Sequence, residues 1–381
     1  MSPNQLHHSE KLLSGLMHLS LIISHFLQHH IPFASWRLPE TNEIATSAGN
    51  CIKTLSEKEV SENLPAFVMS PFDLTPESPF VLIKPTVQFT GLEYSGDLSG
   101  LNSAKVNSNT IVNLPHETAF IDYINQCTKL ISELQQGKIN KVVLSRVVME
   151  TLKDDFDPAL TFIKLCEKYP SAFIYLISDG EGLQWMGASP ETLLEIIHGK
   201  GKTMSLAGTC SHVVDELAPE PWPEKEQHEQ NLVTEMIRNT LQSQHILNVQ
   251  ENNPVTISAG PVSHLMTSFN FDLPPHTSGL KLALALHPTP AVCGMPTQLA
   301  KELIHLTETH KRDYYTGFLG PVDDLSNMKL FVNLRSMQLI GNKALLYTGG
   351  GLTAASVVEK EWQETENKAK TLLDVLRNKA V

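Results

Sequence analysis

The segment Ile139–Thr151 (INKVVLSRVVMET) constrains the fold more than any other stretch of the chain. It is rich in β-branched residues and reads as a strand. Alternation puts Lys141, Val143, Ser145, Val147 and Met149 on one face, and Val142, Leu144, Arg146 and Val148 on the other. Helical patterns flank it, at Thr118–Gln136, which stops at Gly137, and at Asp157–Tyr169. Further strands are expected at Ala172–Ser178, Lys202–Leu206, Val255–Ala259, Lys329–Leu334 and Ala344–Thr348. Trp185–Glu195 carries a tight Gly-Ala-Ser-Pro bend. One long helix follows Pro223 and runs to about Gln244, and a last one spans roughly Glu359–Arg377. Strands and helices are mixed without the regular βαβ alternation of a parallel sheet. The expected architecture is therefore large, mostly antiparallel sheets with helices packed outside them.

Residues 1–115 carry a helical pattern and then short strand-like runs such as Phe80–Ile83. The polar stretch Ser95–Asn113 reads as a loop rather than a linker, because nothing before it resembles a complete core. A single domain over residues 1–381 is expected.

Hydrophobic residues make up 41% of the chain and charged residues 18%, which excludes wholesale disorder. The net charge of -12 makes a poor general nucleic-acid binder. The most apolar stretch, Leu12–Leu27, is interrupted by Ser14, His18, Ser20, Ser24 and His25, so neither a membrane span nor a signal peptide is expected there. The five cysteines are odd in number and widely spaced, without C-x-x-C, which argues for reduced thiols in the cytoplasm.

Two carboxylate couples stand out. Glu226 and Glu229 are three apart near the start of one helix, and Glu361 and Glu364 near the start of another. Such pairs share a helical face. In the first helix that face continues as Val233, Met236, Ile237 and Leu241. Buried like charges need a cation. Four all-oxygen ligands suit Mg²⁺; the plainer alternative is two solvated acidic first turns that favour the helix dipole.

Lys141 sits in an otherwise apolar strand, where a lowered pKa would suit a general base. The alternative is a strand-end lysine whose ammonium reaches water. Glu191 follows the tight bend, and if desolvated it suits a general acid. The alternative makes Ser189 an N-cap, with Pro190 and Glu191 in a first helical turn. Gly349-Gly350-Gly351 and Leu206-Ala207-Gly208-Thr209 offer bare backbone N–H groups for an anion. Arg335 can clamp a carboxylate or serve a surface salt bridge. His287 lies in a rigid segment with two prolines, where a hydrogen-bonded core histidine is the plainer reading.

In order and spacing, Lys141–Arg146 (KVVLSR), Gly187–Glu191 (GASPE), Leu206–Thr209 (LAGT), Lys225–Glu229 (KEQHE), Leu286–Gly294 (LHPTPAVCG), Tyr315–Gly317 (YTG) and Glu361–Thr365 (EWQET) resemble the chorismate-utilising enzymes. The resemblance covers residues 118–378. It is similar to isochorismate synthases in particular: Lys141 stands where anthranilate-forming relatives carry glutamine, the H-P-T-P-A string lacks the nucleophilic lysine of aminodeoxychorismate-forming ones, and Ala291 stands where salicylate-forming ones tend to have threonine. There are departures. Glu229-Gln230 replaces the common Glu-His, Glu226 replaces an aspartate, and His212–Pro223 lacks the arginines of many relatives.

The resemblance implies an α/β fold of the α+β type: one large domain in which two lobes of mostly antiparallel sheet, flanked by helices, enclose a deep cleft. It implies a monomer that takes chorismate and interconverts it with isochorismate, for menaquinone, siderophore or salicylate synthesis. Lys141 would activate water and Glu191 would protonate the leaving hydroxyl. Mg²⁺ would be held by Glu229 and Glu364, with Glu226 and Glu361 close by through water. Arg335 and Tyr315 would bind the enolpyruvyl carboxylate, backbone near Gly208, Thr209 and Gly350 would complete the anion site, and His264, His287 and Ala291 would line the cleft. The competing expectations are a salicylate synthase and a catalytically inactive chorismate-binding protein.

Overall fold

The computed structural model describes residues 3–105, 114–210, 222–259 and 262–377. In chain order its elements are α1 (Pro3–Gln28), β1 (Phe33–Arg37), β2 (Ile44–Thr54), α2 (Glu57–Glu62), β3 (Ala66–Ser70), β4 (Phe80–Thr90), α3 (Phe120–Gln135), β5 (Lys141–Thr151), α4 (Pro158–Lys168), β6 (Phe173–Ser178), β7 (Gln184–Ser189), β8 (Thr192–Ile197) and β9 (Lys200–Cys210). They continue with α5 (Glu224–Ser243), β10 (Leu247–Glu251), β11 (Val255–Ala259), β12 (Val262–Asp272), α6 (Gly279–Leu286), β13 (Gly294–Met295), α7 (Thr297–Thr307), β14 (Phe318–Asp324), β15 (Asn327–Val332), β16 (Ser336–Ile340), β17 (Lys343–Leu352) and α8 (Val358–Leu376). The polar stretch expected as a loop forms no helix or strand over 95–105, and its residues 106–113 lie outside the described ones, as does 212–221 of the arginine-poor segment.

Every described strand pairing is antiparallel, and the pairings join into one path: β13, β5, β17, β16, β7, β6, β1, β2, β4, β3, β14, β15, β8, β9, β12, and then β10 and β11 side by side on β12. The path doubles back on itself. Its first half (β5 to β1) and its second half (β4 to β15) pack face to face through Trp36, Phe67, Met69, Val81, Ile83, Phe173, Tyr175, Trp185, Tyr347 and Phe331. Outside the first half lie α1, α4 and α8, against Ile174, Leu176, Met186 and Leu346. Outside the second lie α5 and α6, against Leu82, Leu194, Phe269 and Leu330. The result is four layers, helix–sheet–sheet–helix.

Alternation along β6 shows why. Phe173, Tyr175 and Ile177 face the other sheet half, while Ile174 and Leu176 face the helices. In β5, Val142 and Leu144 meet α3 and α7, and Val147 points between the halves. Lys141, Val143 and Ser145 share that inner face, which aims them at the end of the sandwich where the halves part.

The bend after β7 is not a helix N-terminus. Ser189 Oγ donates to the Val332 carbonyl and accepts from Glu191 N–H, and the Glu191 carbonyl accepts from Val332 N–H. Glu191 therefore begins no helical turn; it is pinned to the end of β15 and followed at once by β8.

Candidate active site

A cavity opens between the sheet halves. Its lining includes Val143, Glu191, Leu206, Ala207, Glu229, His264, Ala291, Tyr315, Thr316, Arg335, Gly349, Gly350, Gly351 and Lys368. Residues from four strands, two helices and four connections thus converge, which no local pattern specifies.

Lys141 is 0% exposed, and its Nζ lies 2.7 Å from Glu229 Oε1. The apolar setting expected for this lysine is incomplete: a carboxylate 88 residues away in sequence neutralises it. The pair passes beside β17. A Cβ at Gly351 would stand 2.7 Å from both Glu229 Oε1 and Lys141 Cε, so only glycine leaves them room.

Glu191 is 2% exposed and its Oε1 has no hydrogen-bond partner. Burial pushes its carboxyl up to about 8, although Lys141 and Lys368 pull the other way. It stays protonated at neutral pH. His264 is the opposite case. Burial, with the Arg335 and Lys368 cations, pushes it down to about 3, so its ring is neutral, and Nδ1 donates to the Gly208 carbonyl at 3.2 Å.

That carbonyl is presented by a bulge in β9. The β9–β12 register pairs Thr209 with His264 and Ala207 with Leu265, leaving Gly208 unmatched at φ +62°. The Ala207 N–H donates to Gln230 Oε1 at 2.9 Å. Gln230 also donates to Ser205 Oγ and Thr267 Oγ1, so this departure from the family's histidine is fully used.

Arg335 is buried, and among the described residues no salt bridge reaches it. It donates to Thr371 Oγ1 at 3.0 Å, and burial lowers its pKa. The surface salt bridge is excluded. A buried guanidinium facing a cavity without a counter-ion is a site for an anion. Tyr315, stacked on Tyr347, is pushed by burial to about 12 and keeps its phenolic proton. Arg335 (φ +48°) and the β-branched Thr316 (φ +61°) both hold left-handed backbone at the cavity wall, a costly conformation that surrounding structure must enforce.

The four helical glutamates meet lysines. Glu229 pairs with Lys141, Glu361 with Lys225 (3.0 Å) and Glu364 with Lys368 (2.5 Å), while Glu226 lies 3.7 Å from Lys225. Lys368 holds Glu364 below the usual carboxylate range; burial, with Glu364 nearby, raises Glu361. Glu361 and Glu364 also approach the bare Cα of Gly350, 3.3 and 3.6 Å from where a Cβ would stand. Among the described residues no three acidic or histidine side chains are already gathered as a cation site. The donor chemistry nevertheless fits a hard divalent cation: the set is all carboxylate oxygen, and Glu361 Oε2 is buried with no hydrogen-bond partner.

The cavity therefore gathers Glu191, Glu229, His264, Ala291, Tyr315, Arg335 and Gly350, with Lys141, Glu361 and Glu364 against its wall. Gly208 and Thr209 are not among the cavity-lining residues: the Gly208 carbonyl meets His264 Nδ1, and Thr209 pairs with His264 across β9 and β12. His287 is different. Its Nε2 hydrogen-bonds the Phe72 carbonyl at 3.1 Å, its ring packs on Phe72 and Phe318, and it is not among the cavity-lining residues. Sequence reasoning missed Lys368, which reaches the Gly349 carbonyl and Glu364. Its position four residues after Glu364 on one helix face was the available signal.

A family model described as "Chorismate binding enzyme" matches residues 93–377. The chain is 30% identical over 268 residues to "Isochorismate synthase EntC" of Escherichia coli (strain K12), covering 69% of this chain and 68% of that protein. It is 30% identical over 266 residues to "Isochorismate synthase DhbC" of Bacillus subtilis (strain 168), covering 66% and 67%. Its fold matches the crystal structure of a putative 2,3-dihydroxybenzoate-specific isochorismate synthase, DhbC, from Bacillus anthracis, with a TM-score of 0.76 at 23% identity over 93% of this chain and 99% of that one. MenF from Escherichia coli superposes with a TM-score of 0.75 at 22% identity, over 91% and 88%. With three quarters of its length matched by the family model and its cavity built from that same region, this chain belongs to the chorismate-binding enzymes.

Proposed function

We propose that the protein is an isochorismate synthase, an isomerase that moves the ring hydroxyl of chorismate from C4 to C2. The observation that carries the reading is Glu191: a buried carboxyl whose Oε1 has no hydrogen-bond partner, facing a cavity that also holds an arginine that no salt bridge reaches among the described residues. A base and an acid in one site suit attack by a water that gives its proton to the base, with the ring hydroxyl taking a proton from the acid and leaving as water.

Arg335, with the Tyr315 hydroxyl, would receive the enolpyruvyl carboxylate and fix the ring's orientation. Lys141 would take the proton of the water that attacks C2. Glu191 would deliver its proton to the C4 hydroxyl as it leaves and the ring double bonds shift. The neutral His264 ring and the small Ala291 would shape the remaining wall. Glu229 and Glu364, with Glu226 and Glu361 around them, would hold Mg²⁺, which when bound supplies positive charge for the ring carboxylate. As the base Lys141 would act in its neutral form, so its ammonium would first have to lose a proton and leave the pair with Glu229. The same two residues serve the reverse reaction, so the step is reversible. Ala291 favours release of isochorismate over its further breakdown to salicylate.

The test is a product assay. Purified protein with chorismate and Mg²⁺ is expected to give a mixture of chorismate and isochorismate, reached from either side, and Lys141→Ala is expected to lose at least a hundredfold in kcat. Salicylate and pyruvate as main products would replace this reading with a salicylate synthase. No turnover would leave a chorismate-binding protein.

A further inference from the structure

Two buried charges close to the cavity take no part in the chemistry above. Glu308, which follows α7, and Arg312 form an ion pair in which both side chains are 2% exposed. Arg312 Nε donates to Glu308 Oε2 at 2.9 Å and Nη2 to Oε1 at 2.6 Å. The remaining donors go to the cavity wall. Nη2 reaches the Val143 carbonyl at 2.8 Å, Nη1 reaches the Val292 carbonyl at 2.8 Å, and Nη1 is 3.4 Å from Thr316 Oγ1. The guanidinium lies over Phe72. Glu308 in turn accepts from Ser145 N–H at 2.7 Å and Ser145 Oγ at 2.8 Å, and His310 Nε2 is 3.0 Å from Ser145 Oγ.

Each tethered group adjoins a residue of the proposed chemistry. Val143 and Ser145 follow Lys141 on the same face of β5. Val292 follows Ala291. Thr316 follows Tyr315 and holds left-handed backbone that a β-branched residue does not adopt unaided. Val143, Val292 and Thr316 themselves line the cavity. A planar guanidinium with five donors in fixed directions can bind three walls at once; an ammonium cannot.

We propose that Arg312, oriented by Glu308, is a positioning residue that sets the spacing between the Lys141 strand, the Ala291 segment and the Tyr315–Thr316 turn. The inference rests on the proposed isomerase reading, since it concerns the same cavity. Misplacing reacting groups by about an ångström can cost on the order of a hundredfold in rate.

The experiment measures kcat, KM and the pH–rate profile of wild type, Arg312→Lys, Glu308→Gln and Ser145→Ala, at a temperature where circular dichroism shows each folded. Arg312→Lys is expected to lower kcat at least tenfold, Glu308→Gln severalfold and Ser145→Ala about threefold, with the pH limbs unmoved because no proton-transfer group changes. A lower thermal midpoint with wild-type kcat and KM would reduce the pair to a folding element and overturn the proposal. A displaced pH limb would also overturn it, by making the network part of proton transfer. If Arg312→Lys does not fold, the two milder variants decide, and wild-type kinetics in both would reject positioning. Absence of turnover in the wild type would instead reject the isomerase reading, and this inference with it.

Discussion

Glu191 keeps its proton because the fold buries it without offering its Oε1 a partner. Its folded pKa of about 8 stands above the unfolded value of 4.5. The sign follows: the buried carboxyl contributes stability that is fully present below pH 4.5 and is lost as pH rises towards 8. Glu191→Gln keeps the shape and removes the ionisation. The variant is expected to melt at a higher temperature than wild type at pH 8.5, by on the order of a few kcal/mol in stability, with the gap closing towards pH 5. Its turnover is expected to fall by about 10²–10⁴-fold. In the wild type, activity should decline as pH rises past about 8 and the acid loses its proton. Thermal denaturation at the two pH values, with a rate profile, checks all three. A variant no more stable than wild type at pH 8.5 would show that the carboxyl is solvated. His264 is shifted the opposite way, to about 3, by burial together with the Arg335 and Lys368 cations.

At the scale of elements, α8 brings Glu361, Glu364 and Lys368 to the glycines of β17, and Arg146 of β5 fixes the helix. Arg146 Nε donates to Thr365 Oγ1 at 2.7 Å, its Nη2 pairs with Glu366, and its guanidinium lies 3.8 Å from the Trp362 ring centre. Arg146→Met fills similar volume without those bonds. It is expected to cost about 2–4 kcal/mol in a denaturant titration and to weaken Mg²⁺ dependence as the glutamates lose register. An unchanged midpoint would mean that the apolar contacts of α8 suffice.

The start of α8 was legible to within a residue or two, as was α5 behind Pro223, because each has a long amphipathic face. β1 was not. Its burial is continuous from Phe33 to Arg37, and Arg37 looks like a surface residue until its donors are traced to the carbonyls of Leu38, Thr41, Tyr169, Pro170 and Ala172. The carboxylate couples could be seen in the helical spacing. Two of the lysine pairings could not, because Lys141 reaches Glu229, and Lys225 reaches Glu361, from distant segments. Sheet order was equally hidden, since β1 joins β6 across the 135 intervening residues 38–172, a separation that loop-closure entropy tolerates but no pattern announces.

At the scale of the whole molecule, the undiagnostic first hundred residues and the motif-bearing remainder form one continuous sheet. β1 lies between β2 and β6, with Ser35 opposite both Thr46 and Leu176, and β3 pairs with β14 through Met69 and Leu319. Trp36, Phe67, Met69, Val81 and Ile83 supply one part of the core between the sheet halves; Phe173, Tyr175, Trp185 and Phe331 supply another. Removing residues 1–92 leaves the region matched by the family model but uncovers the edges of β6 and β14 and those apolar faces together. At roughly 1.5–3 kcal/mol for each large apolar side chain that loses its cover, the loss exceeds the net stability of an ordinary domain. The single-domain reading therefore predicts that the 381-residue chain unfolds in one cooperative urea transition. It also predicts that a fragment of residues 93–381 aggregates or shows no cooperative transition by circular dichroism. A fragment that unfolds cooperatively and stays monomeric would divide the chain into two folding units, and the cavity, whose lining residues all lie after residue 140, would belong to the second alone.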